Sequence, residues 1–416
     1  MNKKIIFLAF SVIATIFLSS CSSTADQGKK KVEFFSSKSE NQVILKQFVD
    51  EYEASHPDVK IVLSTPADAG TVLRTRLVKD DIPTIIAYGG DVTYTELANV
   101  GMLEDLSDES FVQDILPAYK KMTQDLQQDR TKLYGVPYVA NASGVIYNEE
   151  LFKRYNLEIP QTWDEFIQVC QIFKENNITP IEGTFKDAWT LQALFNPIAG
   201  TLSPDEMIRD RKENKTKFQD EWPEVLEKMA EAMTYTQKDA MGTSYADGTQ
   251  AFAKGESAML INGTWAIPEV VKANPELKIN IFPLPASNES SKNVVTSGVD
   301  VMFMIGKGTK NQKEAKEFIH FLLEKEQLAR YCDDQFAFSA IKGVSQTEPS
   351  LSGISPYIEG GKVTDFIDHL LPNGYDLASM LSEFALDQTK NSKDLKLNTD
   401  RILNKMDDTY DVANIK

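Results

Sequence analysis

The chain has 416 residues, 42% hydrophobic and 25% charged, with a formal net charge of −17. That acidity excludes a nucleic-acid binder, whose affinity rests on Lys and Arg neutralising phosphates, and it weighs against an anionic ligand. The length indicates two lobes rather than one core. His56, His320 and His369 stand apart from one another and from cysteine, so neither a zinc site nor a cofactor is expected.

Lys3 and Lys4 open the chain, and residues 5–18 form an almost wholly apolar run that ends in small residues. This is the pattern of a secretory signal peptide. The run falls short of the about 20 residues a membrane span needs. Leu18-Ser-Ser-Cys21 resembles the bacterial lipobox, in which the Cys thiol takes a diacylglyceryl group and becomes the first residue after cleavage. Two acyl chains suffice for stable anchoring, which puts the protein on the outer face of the cell membrane. Loss of Lys3 and Lys4 takes the charge from −17 to −19. Residues 22–31 are small, polar and charged, and read as a flexible tether.

Residues 31–35 read as a strand, and 41–55 as a helix with Ile44, Phe48 and Tyr52 on one stripe. His56-Pro57 stops that helix. Residues 59–63 are a β-branched strand, 71–79 a short helix and 84–88 a third strand, followed by Gly89-Gly-Asp91. This alternation indicates a parallel α/β sheet, whose ligands sit beyond the carboxyl ends of the strands. Ser36, Ser37, Lys38, Gly90 and Asp91 occupy such ends.

A second region begins at 134–138, with a strand at 144–147. Thr162 and Glu165 form a capping box ahead of Phe166, Val169, Cys170 and Phe173, so Trp163 reads as structural. Pro223 starts another helix, which makes Trp222 a helix-start contact. Residues 312–331 and 376–387 read as late helices, and Ile402, Met406 and Tyr410 mark a terminal one. Cys170 reads as core; an exported chain could pair it with Cys332, but sequence separation alone does not decide this.

Several segments together resemble one family. They are Gly135-Val-Pro-Tyr138, Gly144-Val-Ile-Tyr-Asn148, Pro160-Gln-Thr-Trp-Asp-Glu-Phe166, Phe252-Ala-Lys-Gly-Glu-Ser-Ala-Met259 with Asn262-Gly-Thr-Trp265, and Phe282-Pro-Leu-Pro285. In this order they look like the extracellular solute-binding proteins of carbohydrate ABC importers, over roughly residues 32–344. Val72-Leu-Arg-Thr-Arg76, Lys186-Asp-Ala-Trp189, Tyr245-Ala-Asp-Gly248 and Ser297-Gly-Val-Asp300 are most similar to the raffinose and multiple-sugar branch of Gram-positive bacteria.

The resemblance implies an α/β, two-lobed, periplasmic-binding-protein-like fold. It has about three hinge crossings, at 138–141, 297–299 and 339–342, with the ligand cleft between the lobes. The lobes would be 32–139 with 298–340, and 140–297 with 341–416. It further implies a monomer without enzymatic activity that captures an oligosaccharide and delivers it to ABC permease subunits.

A sugar offers apolar ring faces and hydroxyl edges, so aromatic rings and hydrogen-bonding side chains are the expected ligands. Trp265 and Trp189 are the stacking candidates, with a core tryptophan as the alternative for each. Asp187 flanks Trp189. Tyr245 and Asp247 lie before Gly248, where turn chemistry alone also accounts for them. Asp300 sits two residues after Gly298 in an apolar strand, where a carboxylate must be paired or functional. Asp91, Ser37, Lys38, Glu40, Asn141 and Asn262 complete the polar set. Phe338 caps the pocket or belongs to the core. The rival readings are a non-sugar solute and a secreted glycosidase, which would need two carboxyls about 5–9.5 Å apart; no Gly-x-Ser-x-Gly motif accompanies them.

Overall fold

The computed structural model describes residues 28–390 and 394–414. The signal run, Cys21 and the tether as far as residue 27 lie outside the described residues.

Among the described residues, ten strands make one mixed sheet. They are β1 (Lys30–Ser36), β2 (Val59–Ser64), β3 (Ile85–Tyr88), β4 (Val136–Asn148), β5 (Thr179–Glu182), β6 (Ser257–Gly263), β7 (Ile279–Phe282), β8 (Val295–Ile305), β9 (Phe338–Ser339) and β10 (Val363–Thr364). The main order is β2-β1-β3-β8-β4-β6-β5. The expected parallel unit is present: β1 pairs with β2 through Val32 and Ile61, and with β3 through Phe34 and Ile85. The sheet as a whole is not parallel, because β8 returns antiparallel to β3 and β4 antiparallel to β8.

β4 and β8 are the long members, and both run through almost entirely buried surroundings. Burial on both faces explains their near-continuous apolar sequence. The β4–β8 register slips twice, between Pro137 and Val139 and between Val139 and Ala140. The slips leave Tyr138 on β4 and Asp300 on β8 without an opposite residue. A bulge re-aims the side chain it carries, and here it turns Asp300 out of an apolar ladder. β9 joins β4 at the same level, with Ser339 against Val139 and Phe338 against Ala140.

Among the described residues the core forms three apolar clusters. One gathers Val32, Phe34, Phe48, Tyr138, Phe303, Phe318 and Tyr331. Another gathers Phe152, Trp163, Phe166, Phe173, Phe195, Trp222, Phe384 and Tyr410. The third bridges them around Ala140, Ala142, Val299 and Phe338. Cys170 and Cys332 are free and buried in different clusters, so no disulfide joins them.

The helix Trp163–Glu175 carries the complete capping box: the Thr162 hydroxyl accepts from the Glu165 N–H, and the Glu165 carboxylate accepts from the Thr162 N–H. Trp163 is buried and donates through Nε1 to Glu231 at 2.8 Å. Trp222 is fully buried and stacks on Phe218 with ring centroids 4.1 Å apart. Residues 312–331 do not form one helix. They split into Gln312–Leu322 and Lys325–Gln335, because Glu324 takes an extended backbone, φ −60 and ψ 143, and starts the second helix.

Candidate functional site

β1 ends at Ser36, and the chain turns across the sheet. Ser37 holds the turn by donating its N–H to the Ala87 carbonyl at 2.9 Å. Lys38 then lays its ammonium between both oxygens of Asp300, at 2.7 and 2.6 Å. Asn141 on β4 donates to the same carboxylate at 2.9 Å. A carboxylate inside an apolar strand is tolerated only when so paired. The enclosed Oδ1 of Asn141 has no partner among the described residues, leaving an acceptor ready for a hydroxyl. Glu40 stands exposed, 4.0 Å from the Lys38 ammonium.

Next to this polar knot runs an aromatic wall. The β4–β6 register sets Ser143 against Gly263 at the end of β6, and Trp265 follows in the turn Thr264–Ala266. A Cβ on Gly263 would stand 2.1 Å from the Trp265 ring. The absent side chain therefore lets the indole fold back flat over the strand end. Trp189 follows with its ring centroid 6.5 Å from Trp265, and Tyr245 lies 5.0 Å from Trp189. Trp189 is 41% exposed, and Trp265 is half-buried. Asp187 accepts the Tyr245 N–H at 2.7 Å and so ties the two aromatic loops together. Asp247 is exposed in the first turn of the helix Tyr245–Ala253: its N–H donates to the capping Ser244 hydroxyl at 3.1 Å, and its carboxylate accepts from that hydroxyl at 2.6 Å.

The wall ends on a segment that the sequence did not single out. Phe366 has its ring centroid 6.3 Å from Trp265 and 5.2 Å from His369. Gly298 faces this segment closely, since a Cβ there would lie 2.7 Å from Phe366 and 2.9 Å from Asp365. Asn196 clamps the segment from the helix Thr190–Leu202, donating to Asp368 at 2.8 Å and accepting from the Ile367 N–H at 3.2 Å. Asp91 caps the helix Val92–Asn99 by accepting from the Thr93 N–H at 2.7 Å. Burial raises its carboxyl above the usual range, partly offset by that bond and by His369.

Burial disfavours the charged form of His369. Asp365, 3.0 Å away, outweighs this together with Asp368 and Asp91, and lifts the imidazole to about 9. A folded value above the ordinary 6.5 stabilises the fold below about pH 6.5, and that contribution is lost as pH rises through about 9. The stability gap between the native chain and His369→Gln is therefore expected to be constant below pH 6.5. It should shrink by at most about 3 kcal/mol towards pH 9. A gap in urea midpoint that does not change with pH would contradict this coupling.

Two of the candidate ligand residues are buried in this structure. Asn262 is 0% exposed and accepts from its neighbour, the Gly263 N–H, at 2.9 Å. Phe338 is 2% exposed and packs in the bridging core. Ser36 is likewise buried. The structure instead brings together Lys38, Asp300, Asn141, Trp265 and Trp189 with the unforeseen Phe366 and His369. Aromatic faces beside oriented donors and acceptors can hold the ring and the hydroxyls of a sugar. Asp300 and Asp91 are both already engaged in orienting bonds.

Residues 36–329 match the family described as bacterial extracellular solute-binding protein. The chain is 28% identical over 363 residues to the multiple sugar-binding protein of Streptococcus mutans, covering 84% of this chain and 85% of that protein. It is 24% identical over 388 residues to the melibiose/raffinose/stachyose-binding protein MelE of Bacillus subtilis, covering 88% of each. Among solved structures, the apo-form of RafE from Streptococcus pneumoniae superposes with a TM-score of 0.80 at 25% identity, covering 91% of this chain and 98% of that one. RafE in complex with raffinose gives 0.74 at 24% identity, covering 91% and 99%.

Proposed function

The chain belongs to the bacterial extracellular solute-binding protein family, sugar-binding partners of ABC transporters rather than enzymes, and from that premise we propose that it captures a neutral oligosaccharide and delivers it to a membrane permease. The ligand is α-linked, of the raffinose or isomaltooligosaccharide type. The observation that carries this reading is the aromatic wall of Trp189, Trp265 and Phe366 beside the Lys38–Asp300–Asn141 knot. The names of the Streptococcus mutans and Bacillus subtilis relatives support the same class of ligand.

The lobes are residues 32–139 with 298–340 and residues 140–297 with 341–416. The ligand draws them together only through its better fit to the closed form. The protein acts as a monomer.

A thermal-denaturation panel tests the ligand class. A sugar at about 100 times its Kd stabilises the fold by about 2.7 kcal/mol. Raffinose, stachyose or an isomaltooligosaccharide should raise the midpoint, and a dipeptide should not. A rise with the peptide alone would favour a non-sugar solute, and slow cleavage of one sugar would favour a glycosidase.

The lipid anchor is a separate part of the reading, and rests on Lys3, Lys4 and Leu18-Ser-Ser-Cys21. Cys21→Ala should move the protein from the membrane fraction to the soluble one. Retention in the membrane fraction would remove the lipid from the account.

A further inference from the structure

Beside His369 lies a cavity of about 290 Å³, bounded on one side by the helix Val92–Asn99 and on the other by residues 205–212 and 369–373. Leu126, Ile208, Leu371 and Pro372 supply apolar lining. Its rim is polar and already organised. Arg130 stands 3.3 Å from Asp125, and Arg209 2.9 Å from Glu206. Asn373 donates to Glu96 at 2.6 Å across the gap. An apolar base with a few fixed polar groups is the usual make-up of a small-molecule site.

The cavity meets the aromatic wall at a single residue, His369. His369 lines it, and the Phe366 ring, 5.2 Å from His369, is the last member of that wall. We infer that this groove is an extension of the sugar cleft and takes the additional hexose units of ligands longer than a trisaccharide. Arg130, Arg209 and Asn373 are its hydroxyl-binding groups. The inference rests on the oligosaccharide reading above and adds to it what sets chain-length preference. A guanidinium bonded to a hydroxyl contributes a charge-assisted hydrogen bond, which corresponds to roughly tenfold in affinity or more.

The test compares raffinose with stachyose, one galactosyl unit longer, by calorimetry on the native chain and on Arg209→Ala and Asn373→Ala. Both substitutions lie on the rim outside the core clusters, and circular dichroism verifies that the variants fold. The native chain is expected to bind stachyose roughly tenfold more tightly than raffinose. Each variant should lose that preference while its affinity for raffinose stays unchanged. Equal affinities in the native chain, or a preference that survives both substitutions, would overturn the groove. If the native chain binds neither sugar, the oligosaccharide reading falls and takes the groove with it.

Discussion

Trp265→Ala should weaken oligosaccharide binding by about 2–4 kcal/mol, roughly 30- to 1,000-fold, while leaving the protein folded. The indole occupies the middle of the wall, between Trp189 at 6.5 Å and Phe366 at 6.3 Å. A ring in that place covers the apolar face of a sugar, and its loss removes both the stacked area and the surface that keeps water from the adjacent hydroxyl contacts. The fold should tolerate the change because Trp265 is only half-buried and packs against the edge of the bridging cluster rather than inside it. Fluorescence and calorimetric titrations measure the loss. A folded variant with native affinity would show that the sugar stacks elsewhere.

The largest expected effect on stability comes from a buried ion pair outside the aromatic wall. Arg211 is 1% exposed and Asp407 4% exposed. Arg211 donates from Nε to the Asp407 carboxylate at 3.0 Å and from Nη2 to the Asp411 carboxylate at 2.5 Å. Its guanidinium also lies 4.5 Å from the Tyr410 ring. Asp407 in turn accepts the Phe218 N–H at 2.9 Å and the Gln219 N–H at 3.1 Å, which fixes the start of the helix Phe218–Glu221. Arg211→Met leaves that carboxylate buried without its cation and should cost about 3–5 kcal/mol. Adding Asp407→Asn removes the stranded charge and should recover part of the loss, because the amide oxygen still accepts a backbone N–H. A cost under about 1 kcal/mol in the urea midpoint, or a double variant less stable than the additive sum, would refute the coupling.

Local chemistry made much of the fold legible. The capping box at Thr162 and Glu165 stands as its residues require, and so does Pro223 at a helix start. The strand-end rule directed attention to Lys38 and Asp91, and the misfit of Asp300 in an apolar strand marked a residue that is now seen paired. Asn262 is buried and accepts the neighbouring Gly263 N–H, because short polar residues also serve the backbone beside them, which one-dimensional pattern does not distinguish. Residues 312–331 looked like one helix because the apolar stripe continues through Leu323, and neither Pro nor Gly marks the break at Glu324.

The segment from Asp365 to His369 escaped for a different reason. Its partners are remote in sequence: Asn196 is 172 residues from Asp368, and Asp91 lies in another region of the chain. Periodicity reports what a segment does to itself, not what folds onto it. The available signal was two carboxylates and a histidine within five residues, beside Phe366 and Ile367, in a stretch too short to be an amphipathic helix.

The central claim is that this chain binds an oligosaccharide without transforming it. An isothermal titration of the chain lacking residues 1–21 with raffinose, followed by analysis of the recovered sugar, addresses it most directly. The account predicts saturable heat with one site per chain and raffinose recovered intact. No heat from a folded sample with raffinose, stachyose or an isomaltooligosaccharide, or recovery of the sugar as cleaved products, would contradict it.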